Sequence, residues 1–202
     1  MKNYICINGI KTELTDEQMK RLEVLTEPVV RLSNDGMIAK IGKYEFIVLK
    51  NDKTLGTVEL LLKNTLGGDT VFGDTCDFKT SKLKGILDTF AKQVEEIVGE
   101  ENLLMHNVDL TALDGLKDYG SVETKMSLLT LAQYQEYVEI LDRDMLDAWW
   151  WLATPWSTPK HGYEKAVFCV SPRGDVNLNY GGYDVCGVRP FCVLKSNIFV
   201  SK

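Results

Sequence analysis

The chain has 202 residues, a formal net charge of −6, 45% hydrophobic and 26% charged residues. That suits one large ordered domain, or one domain with a small appendage, and excludes a disordered chain. No Lys/Arg run is present, so no nucleic-acid partner is expected, and the carboxylates are too sparse for an acidic mimic of DNA. No run of about 18 apolar residues exists, so no membrane span or membrane partner is expected. The opening stretch, 1-MKNYICINGIKTEL-14, is too short and polar for a signal peptide. The expected location is the cytoplasm of the producing cell, unless the protein leaves by lysis or on a particle.

The first strand is predicted over about Asn3 to Ile7, with Ile5 and Ile7 on one face. Asn8-Gly9 is a strong two-residue hairpin signal, and a second short strand starts at Ile10. Thr15 and Gln18 fit a capping box, with Leu14 and Met19 placed as its hydrophobic staple. Met19, Leu22 and Leu25 give the helix a modest apolar face, Pro28 ends it, and 33-SNDG-36 reads as a turn. Residues 1–36 therefore form a small hairpin-helix unit, too small to hold a core alone. Residues 37–202 form the main domain.

From Met37 the pattern changes. The runs 44-YEFIVLK-50 and 57-TVELLLK-63 read as strands joined by a hairpin loop, and 64-NTLGGDTVFGDTCDF-78 as a long loop. A helix is expected from about Ser81 to Val98, with Leu83, Ile86, Leu87, Phe90, Val94 and Ile97 at helical spacing and Gly99 at its end. The stretch 106–122 reads as irregular. A third helix starts at Thr130, where Gln133 completes a second capping box, and Tyr134, Tyr137, Val138 and Leu141 form its buried stripe. Three short antiparallel strands close the chain, 165-KAVFCVS-171, 175-DVNLNY-180 and 187-GVRPFCVL-194. The turns 172-PRGD-175 and 180-YGGYD-184 join them. The Arg-Gly-Asp tripeptide within the first reads as turn chemistry, with Gly174 supplying the backbone freedom.

All four tryptophans fall within 149-WWWLATPW-156. In an extended segment Trp149 and Trp151 point one way, and Trp150 and Leu152 the other. One pair is expected in the core, and Trp156, in a loop after Pro155, is the tryptophan expected to reach the surface. Five cysteines, an odd number without CxxC spacing, read as reduced, buried thiols. The two histidines sit in no ligand-like pattern, so no metal and no cofactor is expected. Arg189, in an apolar strand, is expected to be buried and ion-paired. The loop 177-NLNYGGYD-184 mixes Asn, Tyr and Gly, the composition of adaptable binding loops.

The ordered motifs 81-SKLKGILDTFAKQ-93, 127-SLLTLAQYQEYV-138, 150-WWLATP-155, 174-GDV-176 and 187-GVRPFCVL-194 carry a resemblance. The chain from about Met37 to Leu194 resembles an uncharacterised domain family of gut-dwelling Gram-positive bacteria and their phages. That family shows an L-L-T/S-x-x-E/Q-Y helix start, a WWLRSP-like strand and a terminal GVRPAL strand. Lys84, Ile86 and Asp88 stand where the family prefers Arg, Trp and Asn. More loosely, the chain is similar to the C-type-lectin-like superfamily that includes the formylglycine-generating enzymes. There an LPTEAEWE helix start aligns with Leu128 to Gln135, and a GFR strand with Gly187 to Arg189.

The resemblance implies an α+β, C-type-lectin-like fold with short antiparallel strands and two main helices. It implies a ligand face on the strands and loops before the last strand. The calcium-binding Glu-Pro-Asn and Trp-Asn-Asp patterns of sugar-binding lectins are absent. The expected contact residues are Trp156, His161, Tyr163, Asn177, Asn179, Tyr180, Tyr183 and Asp184. No catalytic residue is assigned. The expected function is that of a non-enzymatic, phage- or prophage-encoded binding protein for a protein or glycan ligand, with association with the virion as the alternative to the cytoplasm. The alternatives are an intracellular inhibitor of a host defence system, a structural or assembly module docking through residues 1–36, and an oxidoreductase using Cys186 and Cys192. The oligomeric state is not specified by the sequence.

Overall fold

A computed structural model describes residues 3–7, 10–15, 17–18, 29–31, 35–183, 185–196 and 199–201. In chain order the strands before the first helix are β1 (Asn3–Ile7), β2 (Ile10–Leu14), β3 (Val29–Arg31), β4 (Ile38–Ile41), β5 (Tyr44–Asp52) and β6 (Thr57–Leu62). Helix α1 (Lys82–Val98) follows, then β7 (Leu103–Leu104), β8 (His106–Asp109), β9 (Ser121–Thr124) and β10 (Met126–Ser127). Helix α2 (Leu131–Leu141) precedes β11 (Trp150–Pro155), β12 (Ala166–Val170), β13 (Val176–Tyr180), β14 (Phe191–Lys195) and β15 (Phe199–Ser201). The fold is α+β, with every strand pair antiparallel within the sheets.

The largest sheet runs β10-β14-β6-β5-β4-β15-β3, with β7 also paired to β14. A second sheet runs β11-β12-β13, and β1-β2 and β8-β9 form separate ribbons. Strands β5, β6, β11, β12 and β14 are covered on two faces, which is why they read as nearly continuous apolar runs rather than alternating ones. Phe46, Val48, Leu60, Trp151, Val167 and Cys169 pack with Leu83, Leu87, Phe90 and Val94 of α1. Ile47, Leu49, Leu61, Trp150, Leu152, Phe168 and Val170 pack with Tyr134, Tyr137 and Leu141 of α2.

Local signals set the helix ends. Ser81 caps α1 through Lys84 N–H, and Gly99 ends it at φ 90°. Thr130 and Gln133 make the reciprocal capping box of α2. Near the N-terminus, Gln18 N–H donates to Thr15 Oγ1 at 3.2 Å and Thr15 N–H to Gln18 Oε1 at 2.9 Å, the capping-box bonds expected there. β1 and β2 pair with Ile7 opposite Ile10, the register of a two-residue turn. Asn8-Gly9 itself, the apolar face from Met19 to Leu25, Pro28 and Asp184 lie outside the described residues. β3, within the expected N-terminal unit, pairs with β15 at the edge of the large sheet.

Three expectations need correction. The stretch 106–122 holds β8 and reaches the start of β9, which pair from His106 opposite Thr124 to Asp109 opposite Ser121. The third closing strand does not join the second: β14 crosses to the large sheet, between β6 and β10. Its course is fixed at Gly187, where a Cβ would stand 2.4 Å from Thr65 Cγ2. Trp156 is half-buried, its ring 5.8 Å from that of Phe168, whereas Trp149 is the exposed tryptophan at 38%. The reason is the loop's return: Trp156 N–H donates to Ala166 carbonyl at 2.9 Å, folding the ring back over β12.

Arg189 is buried as expected. Its Nε donates to the Leu62 carbonyl at 2.8 Å, and its guanidinium lies 4.9 Å from the Trp150 ring centre. The 172–175 segment is the β12–β13 turn, with Gly174 at φ 83°. No helix among the described residues is long and apolar enough to cross a membrane.

Candidate functional site

The three-stranded sheet fixes which expected contact residues meet. Trp156 follows β11, Ala166 opens β12 opposite Tyr180, and Tyr180 closes β13. The loop 156–165 and the segment after Tyr180 therefore leave the same end of the sheet. That end carries Tyr163, 56% exposed, and Tyr180 and Tyr183, each 58% exposed. The rings of Tyr180 and Tyr183 meet edge to face with centroids 5.8 Å apart. Tyr183 N–H donates to Tyr180 carbonyl at 3.1 Å, holding the turn that sets this pair.

His161 is exposed in a single 3-10 turn, Pro159–His161, closed by Gly162 at φ 76°. Its Nδ1 lies 2.8 Å from Asp114 Oδ2. The same carboxylate oxygen accepts a hydrogen bond from Ser157, and Thr158 donates to Asp118 Oδ2 at 2.5 Å. Two loops that are far apart in sequence are thereby clamped together.

The Ser157 and His161 contacts hold the Asp114 carboxyl below the ordinary carboxylate range, Ser157 contributing most. A depressed folded pKa means that the clamp's contribution is present above the unfolded value and lost as pH falls through the folded one. Acidification below about pH 4 is therefore expected to loosen residues 110–120. Leu116 N–H, which donates to Asp114 Oδ1 at 3.2 Å, should then exchange faster while α2 keeps its protection. Hydrogen exchange corrected for intrinsic rates, compared at about pH 5 and about pH 2.5, reads this directly. Equal protection of Leu116 at both would refute the clamp.

Three other expected residues do not join this exposed aromatic set. Asn177 is exposed in mid-strand, with Nδ2 3.5 Å from the Asp175 carbonyl. Asn179 is half-buried, and its Oδ1 accepts from Tyr180 N–H at 2.9 Å. Trp156 contributes to the core rather than the rim. Sequence reasoning missed Asp114 and Asp118, whose partners lie 47 or fewer residues away with no local pattern linking them. It also missed the exposed side chains of Val176 and Leu178 on β13.

Elsewhere polar groups are enclosed. His106 Nε2 is 2.9 Å from Ser127 Oγ, but Ser127 is buried, and burial pushes the His106 pKa down to about 4. Cys76, Cys169, Cys186 and Cys192 are buried free thiols. Burial pushes Cys192 up to about 12, and the Cys169 contact, with burial, pushes Cys186 further up. The thiol neighbouring Cys186 is thus Cys169, not Cys192. Among the described residues no three His, Cys, Asp or Glu side chains assemble to hold a metal ion.

The model of a family described as a domain of unknown function, DUF6273, matches residues 94–196. The chain belongs to this family. The DUF6273 segment starts inside α1 and runs through α2, the tryptophan strand, the aromatic end and β14. It begins later than the resemblance expected from Met37, so the motif at the start of α1 lies outside it. No curated protein and no solved structure matches the chain.

Proposed function

We propose that the protein is a non-enzymatic binding module that captures a protein or glycan ligand on the aromatic end of its β11-β12-β13 sheet. The observation that carries this reading is the exposed Tyr180–Tyr183 pair, at the same end of the sheet as the loop that holds Tyr163 and the clamped His161. Tyrosine gives large, amphipathic contact area with few rotatable bonds, so little entropy is lost on binding. The His106–Ser127 contact and the described thiols are enclosed, which supports binding rather than chemistry. A C-type-lectin-like architecture accords with a ligand face on the segment before the last strand, and the family resemblance supports a phage or prophage origin.

The test starts with immobilised protein exposed separately to envelope and cytosol of a Gram-positive host. Ligand from the envelope would indicate surface recognition, and ligand from the cytosol an intracellular target. The Tyr180→Ala/Tyr183→Ala variant should bind the recovered ligand at least about thirtyfold more weakly, as loss of an aromatic hot spot does. Its circular dichroism should match the parent's. An unchanged Kd would remove the aromatic end from consideration.

A further inference from the structure

We propose that β13 is a dimerisation edge, pairing antiparallel with β13 of a second copy about a two-fold axis at Asn177. Two hydrogen bonds fix which way the backbone of β13 points. Ser171 N–H donates to Asp175 carbonyl at 2.9 Å, and Gly181 N–H to Lys165 carbonyl at 2.8 Å. Narrow hydrogen-bonded pairs alternate along an antiparallel ladder. The pairs Val170–Val176, Phe168–Leu178 and Ala166–Tyr180 are therefore the intervening ones, and their β13 members turn N–H and C=O away from β12. Trp156 N–H bonding to Ala166 carbonyl, toward β11, confirms the phase.

At Tyr180 these outward groups are already used, N–H by Asn179 Oδ1 and carbonyl by Tyr183 N–H. At Val176 and Leu178 no partner occurs among the described residues. Each chain thus offers two donors and two acceptors at alternate positions. With Asn177 facing Asn177 of the second copy, Val176 faces Leu178 in both directions. All eight groups then meet in four hydrogen bonds, which no register centred on Leu178 achieves.

The side chains agree. Val176 and Leu178 are 37% and 45% exposed on the face that carries buried Phe168 and Val170. Pairing turns them into two apolar cross-strand contacts continuous with that core. Exposed edges are ordinarily guarded by charge, proline or a bulge, and 176-VNLNY-180 has no charge and no proline, in unbroken register with β12. The register itself argues for a second copy as the occupant, since the outward groups of β13 match their own antiparallel repeat. Here donors face acceptors, Asp175 faces Asn179, and no formal charge faces its like, so the edge is complementary to itself. Tyr180 and Tyr183 lie beyond the paired stretch, so this inference is independent of the ligand reading, and a dimer would carry two aromatic ends.

Sedimentation equilibrium of the full chain tests it. The parent is expected to be dimeric. Leu178→Pro should be monomeric yet folded, because the lost N–H faces outward and belongs to no bond within the chain. Leu178→Lys should weaken the dimer roughly tenfold, and Val176→Glu/Leu178→Lys should recover it, since each glutamate then faces a lysine of the second copy. A parent that stays monomeric, including one that instead takes up an extended peptide on β13, would overturn the proposal. So would a dimer indifferent to Leu178→Lys. Should the proline variant fail to fold, recovery in the double variant supports the register and absence of recovery refutes it.

Discussion

Replacing Trp151 with alanine is expected to cost about 4 kcal/mol of folding stability, a large share of a typical domain's total. The side chain is fully buried between the β11-β12-β13 sheet and the long loop before α1. Its ring meets Phe72 at 5.8 Å, and its indole N–H donates to the Thr70 carbonyl at 2.7 Å. Alanine would leave a cavity in a two-sided core that cannot collapse without moving α1, and would strip that carbonyl of its donor. Trp151→Phe keeps most of the packing and loses the hydrogen bond, so it should cost less, about 1–2 kcal/mol. Trp149→Ala, two residues earlier but exposed, should change stability by no more than about 0.5 kcal/mol. Urea unfolding of the three variants reads this order. A Trp151→Ala midpoint close to that of Trp149→Ala would show that the loop 64–78 is not anchored by the indole.

The tryptophan run shows where sequence is readable and where it is not. Alternation assigns Trp150 and Trp151 to opposite faces, and both faces prove to be core because helices cover the sheet on two sides. Nothing in the run itself separates Trp149 from Trp156; the return of the chain past Ala166 does. Features closed within three or four residues were legible: the Thr130–Gln133 capping box and the apolar stripe of α1. β8 and β9 were not, because HNVD and SVET are short, polar and half-exposed, and only their pairing makes them strands. The Tyr-rich composition after β13 pointed to exposed rings. It could not reveal that Asp114 fixes His161, since that bond spans 47 residues. Nor could it reveal the outward backbone of β13, which depends on the phase of a ladder.

Arg189 joins these levels, and its loss is expected to be the second most damaging change. It sits in the GVRP motif just before β14, fully enclosed. Nε bonds the last carbonyl of β6, Leu62, while the guanidinium lies over Trp150 of the other sheet. One side chain therefore ties the large sheet to the β11-β12-β13 sheet on the α2 side of the core. Trp150 is held in turn by Tyr134 of α2, ring centres 5.7 Å apart, and Tyr134 O–H donates to the Gly174 carbonyl at 2.6 Å. Alanine at 189 would remove the cation–π contact, about 2 kcal/mol when desolvated, and leave the Leu62 carbonyl short of a donor at a further cost of about 1–2 kcal/mol. The expected loss is about 3–4 kcal/mol. Arg189→Lys should rescue little, because an ammonium cannot lie flat on the indole while donating sideways to Leu62. Near-ultraviolet circular dichroism adds a readout of the indole surroundings, since the tryptophan signal should change in both variants. Full stability in Arg189→Lys would mean that charge, not the planar fork, is what this position requires.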